Sequence, residues 1–289
     1  MRNKKMGVFL GICALATLST SCAGKNGYET YTDAKRYSVG EFTGDVSAVK
    51  RVEIDWLGGS IDVEQSADGT LTFTEEVPAE TDAQRAQWYL DGSVLRIRYC
   101  KSGYDGKIRE ENKHLQLQLP VGLGLDIESK TAEITIGQAE FSSLAIESVS
   151  GNLTGEKWTC SGKVDIETGS ASVAVGEILA SSLEIDGGSG NVHIERANAP
   201  NMQIETTVGR IDVGFAERTE AELETGDGNI NVRLLSGLGA SVRFETRRGA
   251  FHCEKPYERF GGRYDVYGEN GQTDCPVYVE TKNGNLYIR

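Results

Sequence analysis

Proline is scarce in this 289-residue chain, with 5 residues against 35 glycines. A chain so poor in proline and so rich in glycine turns often and can still pair its backbone, which favours many short strands. Cysteine is limited to 6 residues with no C-x-x-C spacing, so neither a redox pair nor a zinc ribbon is supported. Basic side chains are outnumbered, 30 Lys and Arg against 43 Asp and Glu, for a net charge of -13. That balance argues against nucleic acid as a partner, because phosphate binding needs accumulated Lys and Arg. Past the first two dozen residues no apolar run is long enough to span a bilayer. The 38% of hydrophobic residues is ample for a folded core.

What the chain has instead is a repeat. The stretch ELETGDGNINV, residues 222–232, carries the register apolar, acid, Ser or Thr, a glycine turn, then two apolar positions. The same register surrounds Asp55, Glu128, Glu147, Glu167, Asp186, Glu205, Glu224, Glu245 and Glu280. From Glu128 to Glu245 the acids fall in steps of 19, 20, 19, 19, 19 and 21 residues. Near-constant self-similarity of this kind is the signature of a solenoid, in which each repeat is one coil stacked on the last. Apolar and polar residues alternate within a coil as in strands with one buried face, for example MQIET and RIDVG. The expectation is therefore an all-β, single-stacked β-solenoid of coils about nineteen residues long. The glycine four residues after the acid, as at Gly59, Gly190, Gly228 and Gly284, predicts a corner at positive φ. GDGN at 226–229 recurs as GSGN at 188–191 and KNGN at 282–285. The turn that resembles a ligand loop is thus framework.

The acid itself points outward in every copy. Stacking in register predicts a row of carboxylates, Glu128, Glu147, Glu167, Asp186, Glu205, Glu224 and Glu245, spaced about 4.8 Å apart. The row reads either as a solvated flank or as an interaction face for a basic partner or divalent cations such as calcium. No cofactor is implied. The hydroxyls that follow the acids face inward and satisfy corner backbone groups; no base recurs beside them. Of the three histidines, His193 and His252 share an outward register position several copies apart, too far to hold one metal, and His114 is isolated. Catalysis finds no foothold in these residues.

The ends differ from the middle. Residues 1–22 read as an export signal: MRNKK, an apolar run, then STSC. The last motif resembles the lipobox of bacterial lipoproteins, which makes Cys22 the lipid-attachment residue and the protein membrane-anchored outside the cytoplasm. Cleavage after Ala23, giving a secreted protein, is the competing reading. Residues 23–47 read as a flexible tether and 48–289 as the solenoid domain. Strand-like runs within 64–124 are expected to cover its first end, since a bare end exposes a sheet edge. Residues 254–278 interrupt the last coil as a loop mixing Arg with aromatics, either a cover for the far end or a platform for glycan or an anionic group. An exported location permits disulfides, and Cys253 with Cys275, which bracket that loop, is the preferred pair.

The recurring apolar-acid-hydroxyl pattern, in copies such as IETTVGRIDV and VETKNGNLYI, resembles the bacterial putative adhesin family, envelope-associated domains of unknown function. The resemblance covers residues 48–289 and implies a β-solenoid in the cell envelope. The expected function is a non-catalytic surface interaction scaffold whose partner is an envelope or host macromolecule, protein or glycan. The alternatives are a sensing component of the envelope stress response and, less favoured, a polysaccharide-acting enzyme. The last needs clustered Asp with Arg or Lys in a cleft, whereas the acids here are evenly spread.

Overall fold

The computed structural model describes residues 28, 30–44, 47–77 and 81–289. The expected signal segment and Cys22 lie outside the described residues. Strands stack in two parallel ribbons around one core, because each coil alternates inward and outward side chains. In the first ribbon Ile127, Ile146, Ile166, Ile185, Ile204 and Leu223 lie side by side, and the isoleucines are all but fully buried. In the second, Ile134, Leu153, Val173, Val192, Ile211 and Ile230 do the same. The two stretches of alternation in a coil, as in MQIET and RIDVG, are joined in the centre. Glu133–Ser148, Leu153–Thr168 and Val173–Gly187 run unbroken from one ribbon into the other, and irregular register at Phe141/Leu144 and Cys160/Lys163 takes up the bend.

Spatial order departs from chain order at both ends. The Asp55 copy, remote in sequence, stacks directly on the Glu128 coil, with Ile54 beside Ile127 and Ile61 beside Ile134. Outside it sits a coil made later in the chain, Val94–Arg98 and His114–Leu119. At the far end the last copy slots between its two predecessors: Leu223 pairs with Val279, and Val279 with Phe244. The C-terminal coil is therefore enclosed, and the Glu245 coil is outermost.

Antiparallel strands finish both ends. Leu71–Glu76 lies on His114–Leu119 and Gln87–Asp91 on Val94–Arg98. Further out, Phe42–Gly44 and Ser38–Val39 add to these two. This corrects the tether expected over 23–47, because its described part is packed. Tyr28 is buried with its ring 6.1 Å from that of Tyr99, Tyr31 donates to the Cys100 carbonyl at 3.0 Å, and Phe42 meets Trp88 edge-on at 4.8 Å. The interruption over 254–278 contains a hairpin, Tyr257–Phe260 with Arg263–Val266, laid against Ala240–Arg248.

Two further expectations are corrected. Cys253 and Cys275 are free thiols. Cys253 ends a second-ribbon strand beside Ile288, while Cys275 opens a first-ribbon strand beside Ala240, so the hairpin separates them into different columns. The corner glycines serve close approach rather than positive φ, which among them only Gly59 adopts, at 85°. A Cβ on Gly190 would lie 1.7 Å from the Ala171 carbonyl oxygen of the preceding coil.

Candidate functional site

The outward carboxylates form the row that the repeat predicts. Along the first ribbon Asp55, Glu128, Glu147, Glu167, Asp186, Glu205, Glu224, Glu280 and Glu245 are successive register partners. Glu280 takes its place inside the row because the C-terminal coil is enclosed. Both ends are neutralised. Arg98 bonds Asp55 at 2.6 Å, Arg96 and Arg51 bond Glu53, and Arg243 meets Glu245 at 2.8 Å. Between these, among the described residues, Glu128 through Glu224 and Glu280 have no ion-pair partner. Lys163 sits to one side, held by Asp165 at 2.8 Å and Glu184 at 2.5 Å.

Like charges in file cost energy in the ionised form, and partial burial adds to that cost. Burial first, then neighbouring carboxylates, raise the pKa values of Glu128, Glu147, Glu167, Asp186 and Glu205 above the usual carboxylate range. Glu224 is the extreme, pushed up to about 7 by burial, then by Glu280, Glu222 and Glu205. A carboxyl whose folded value is raised contributes stability that is complete below its unfolded value, 4.5 for Glu224. That contribution is lost as pH climbs through about 7. The melting temperature should accordingly rise by about 2–4 °C between pH 8 and pH 5 at constant ionic strength. Glu224→Gln should melt higher than wild type at pH 8 and respond less to acid. A melting temperature that falls steadily over that interval would refute the coupling.

Other candidates prove structural. The hydroxyls of Ser148, Thr168, Thr225 and Thr281 donate to carbonyls at the corners, at 3.0 to 3.4 Å. Asp227 accepts from the Asn283 amide of the next coil, so the glycine-rich turn joins coils. No group of three or more His, Cys, Asp or Glu among the described residues is arranged to hold a metal; the row is a file, and its members do not converge. His252 stacks on Tyr287 at 4.8 Å, far along the column from His193.

Beside the row a shallow depression of about 510 Å³ is lined by Lys163, Glu184, Met202, Glu222, Arg243 and Tyr278 among others. At the far end Phe251 stacks on Tyr264 at 3.9 Å, with the Arg259 guanidinium 5.2 Å over the Tyr264 ring. A feature absent from the sequence reading is a buried ion pair under the first end. Lys113 bonds Glu75 with both side chains at 0% exposure, donates to the Gln84 carbonyl at 2.7 Å, and lies 4.7 Å from the Tyr99 ring centre and 5.1 Å from that of Trp56. The strand parity that places Leu115, Leu117 and Leu119 inward places Lys113 inward too, which is the signal that could have found it.

Two solved structures share the fold. A putative adhesin from Bacteroides fragilis matches at 13% identity over 87% of this chain and 97% of its own, with a TM-score of 0.52. A putative adhesin from Parabacteroides merdae matches at 16% identity over 88% and 96%, with a TM-score of 0.50. No curated protein matches the chain. The model of one family, Toastrack DUF4097, matches residues 49–289, the whole coil stack. On that match, the chain belongs to the Toastrack family.

Proposed function

We propose that the protein is a non-catalytic interaction scaffold of the cell envelope, exported and anchored through a lipid on Cys22. A basic surface of an envelope or host macromolecule, protein or glycan, would dock along the carboxylate row. The single observation that carries this reading is the uninterrupted file of unpaired carboxylates from Glu128 to Glu224, beside a shallow depression. The fold relatives bear adhesion names, which agrees with binding rather than turnover. A flank of one sign attracts a cationic partner at low ionic strength and releases it in salt.

The test is chemical crosslinking of the mature protein in native envelopes, comparing wild type with a variant carrying Gln at Glu147, Glu167 and Glu205 and Asn at Asp186. Partners that are captured by wild type, released by salt and missing from the variant support the reading. An identical capture profile from both proteins removes the row from the function. The anchor has its own check in the mass of the mature N-terminus: a diacylated or triacylated Cys22 is expected, and an unmodified terminus after Ala23 would mean secretion.

A further inference from the structure

The hairpin at the far end leaves one strand open. Tyr257–Phe260 pairs with Arg263–Val266 along one side only, among the described residues, and all four of its side chains are exposed. Tyr257 is 45% and Phe260 53% accessible. The Tyr267 amide donates to the Pro256 carbonyl at 3.2 Å. Alternation along an antiparallel ladder then turns the N–H and C=O groups of Tyr257 and Arg259 away from the hairpin, toward solvent. A free edge with outward donors and acceptors is a template for another strand.

What could occupy it is limited by charge. In a two-fold antiparallel pairing with a second copy, facing side chains must share a sheet face, so the axis passes through a residue. Centring on Glu258 sets two glutamates opposite each other, centring on Arg259 sets two arginines opposite, and centring on Tyr257 sets Arg259 opposite Lys255, each unfavourable; centring on Phe260 would need the turn at Gly261 and Gly262 to pair as strand. A different polypeptide meets no such conflict. The surroundings favour an acidic one. Residues 240–268 carry six basic side chains against four acidic, in a chain of net charge -13. Arg243 and Arg263 are held by Glu245 and Asp265. Arg247, Arg248 and Arg259 have no carboxylate partner among the described residues.

We propose that the Tyr257–Phe260 edge docks an extended, acid-bearing segment of another protein as an added antiparallel strand. A partner carboxylate faces Arg259, and apolar side chains face Tyr257 and Phe260. The site is separate from the carboxylate row and stands or falls independently of it.

A capped peptide, Thr-Val-Glu-Lys-Val-Thr, places Glu opposite Arg259 and Lys opposite Glu258. Amide hydrogen exchange of the mature protein with the peptide in millimolar excess should show protection at Tyr257 and Arg259. Arg259→Glu should weaken binding about fivefold. Arg259→Pro removes an outward N–H that the hairpin does not use, and should abolish protection without lowering the melting temperature. If that variant fails to fold, Arg259→Glu alone decides. Protection elsewhere, none at all, or unchanged binding by Arg259→Glu would overturn the proposal. So would a polygalacturonate oligomer protecting the same amides while the peptide does not, which would reassign the tip to an acidic glycan.

Discussion

Replacing Lys113 with methionine should destabilise the fold by about 3–5 kcal/mol, the cost of leaving a buried charge without its partner. Among the described residues Glu75 would keep only the Ala86 N–H, which approaches both carboxylate oxygens at 2.9 Å, in a place where its side chain is fully buried. Burial pulls the pKa of the Lys113 ammonium below the ordinary lysine range, against the pull of Glu75, so the pair exists in tension between desolvation and attraction. The faces of Trp56 and Tyr99 supply part of the compensation. For a domain of this size the loss corresponds to a fall of roughly 6–20 °C in melting temperature. The double variant Lys113→Met with Glu75→Gln should recover most of it, because glutamine still accepts from Ala86 while the charge is gone. Equal melting of the single and double variants would show that the pair is not what holds the first end closed.

The pair also shows what the sequence could and could not disclose. Ile166, Ile185 and Ile204 line up as the nineteen-residue period requires, because a strand ladder copies any period into a column. The carboxylate row follows from the same period and is equally legible. Lys113 and Glu75 share strand parity with Leu115 and Phe73 respectively, so their inward direction was readable, yet two inward charges become intelligible only once the strands Leu71–Glu76 and His114–Leu119 are seen to pair. The order of the last coils was not readable. Val279-Glu280 and Phe244-Glu245 offer the same register to a neighbour, and the long excursion between them lets the chain pass around one layer and return to the slot inside it. The packing of Tyr28, Tyr31 and Phe42 escaped for a different reason: aromatics scattered in a polar segment have no period, and their partners Tyr99, Tyr37 and Trp88 are distant or irregular. The disulfide failed because bracketing a loop says nothing about which columns its two ends enter.

The corner glycines make the sharpest demand on the sequence, and Gly190→Ala should be among the most damaging small substitutions in the stack. Its added methyl carbon would stand 1.7 Å from the Ala171 oxygen, 2.4 Å from the Ala171 carbonyl carbon and 3.0 Å from the Ser172 nitrogen. All three are backbone atoms of the adjacent coil, so no rotamer change relieves the contact. The coils would have to part locally, yet Val173 donates to the Asn191 carbonyl at 2.9 Å immediately beside the corner, and that bond would stretch as they did. Overpacking against fixed backbone should cost about 3 kcal/mol or more, or roughly 6–12 °C in melting temperature. Gly262→Ala is the matched control, since nothing lies within 4 Å of its added carbon and its φ is not positive; it should leave stability within about 0.5 kcal/mol of wild type. If Gly190→Ala melts with the control, the close approach of coils is not what requires glycine at the corner, and the repeat's most regular small residue would lack a physical reason.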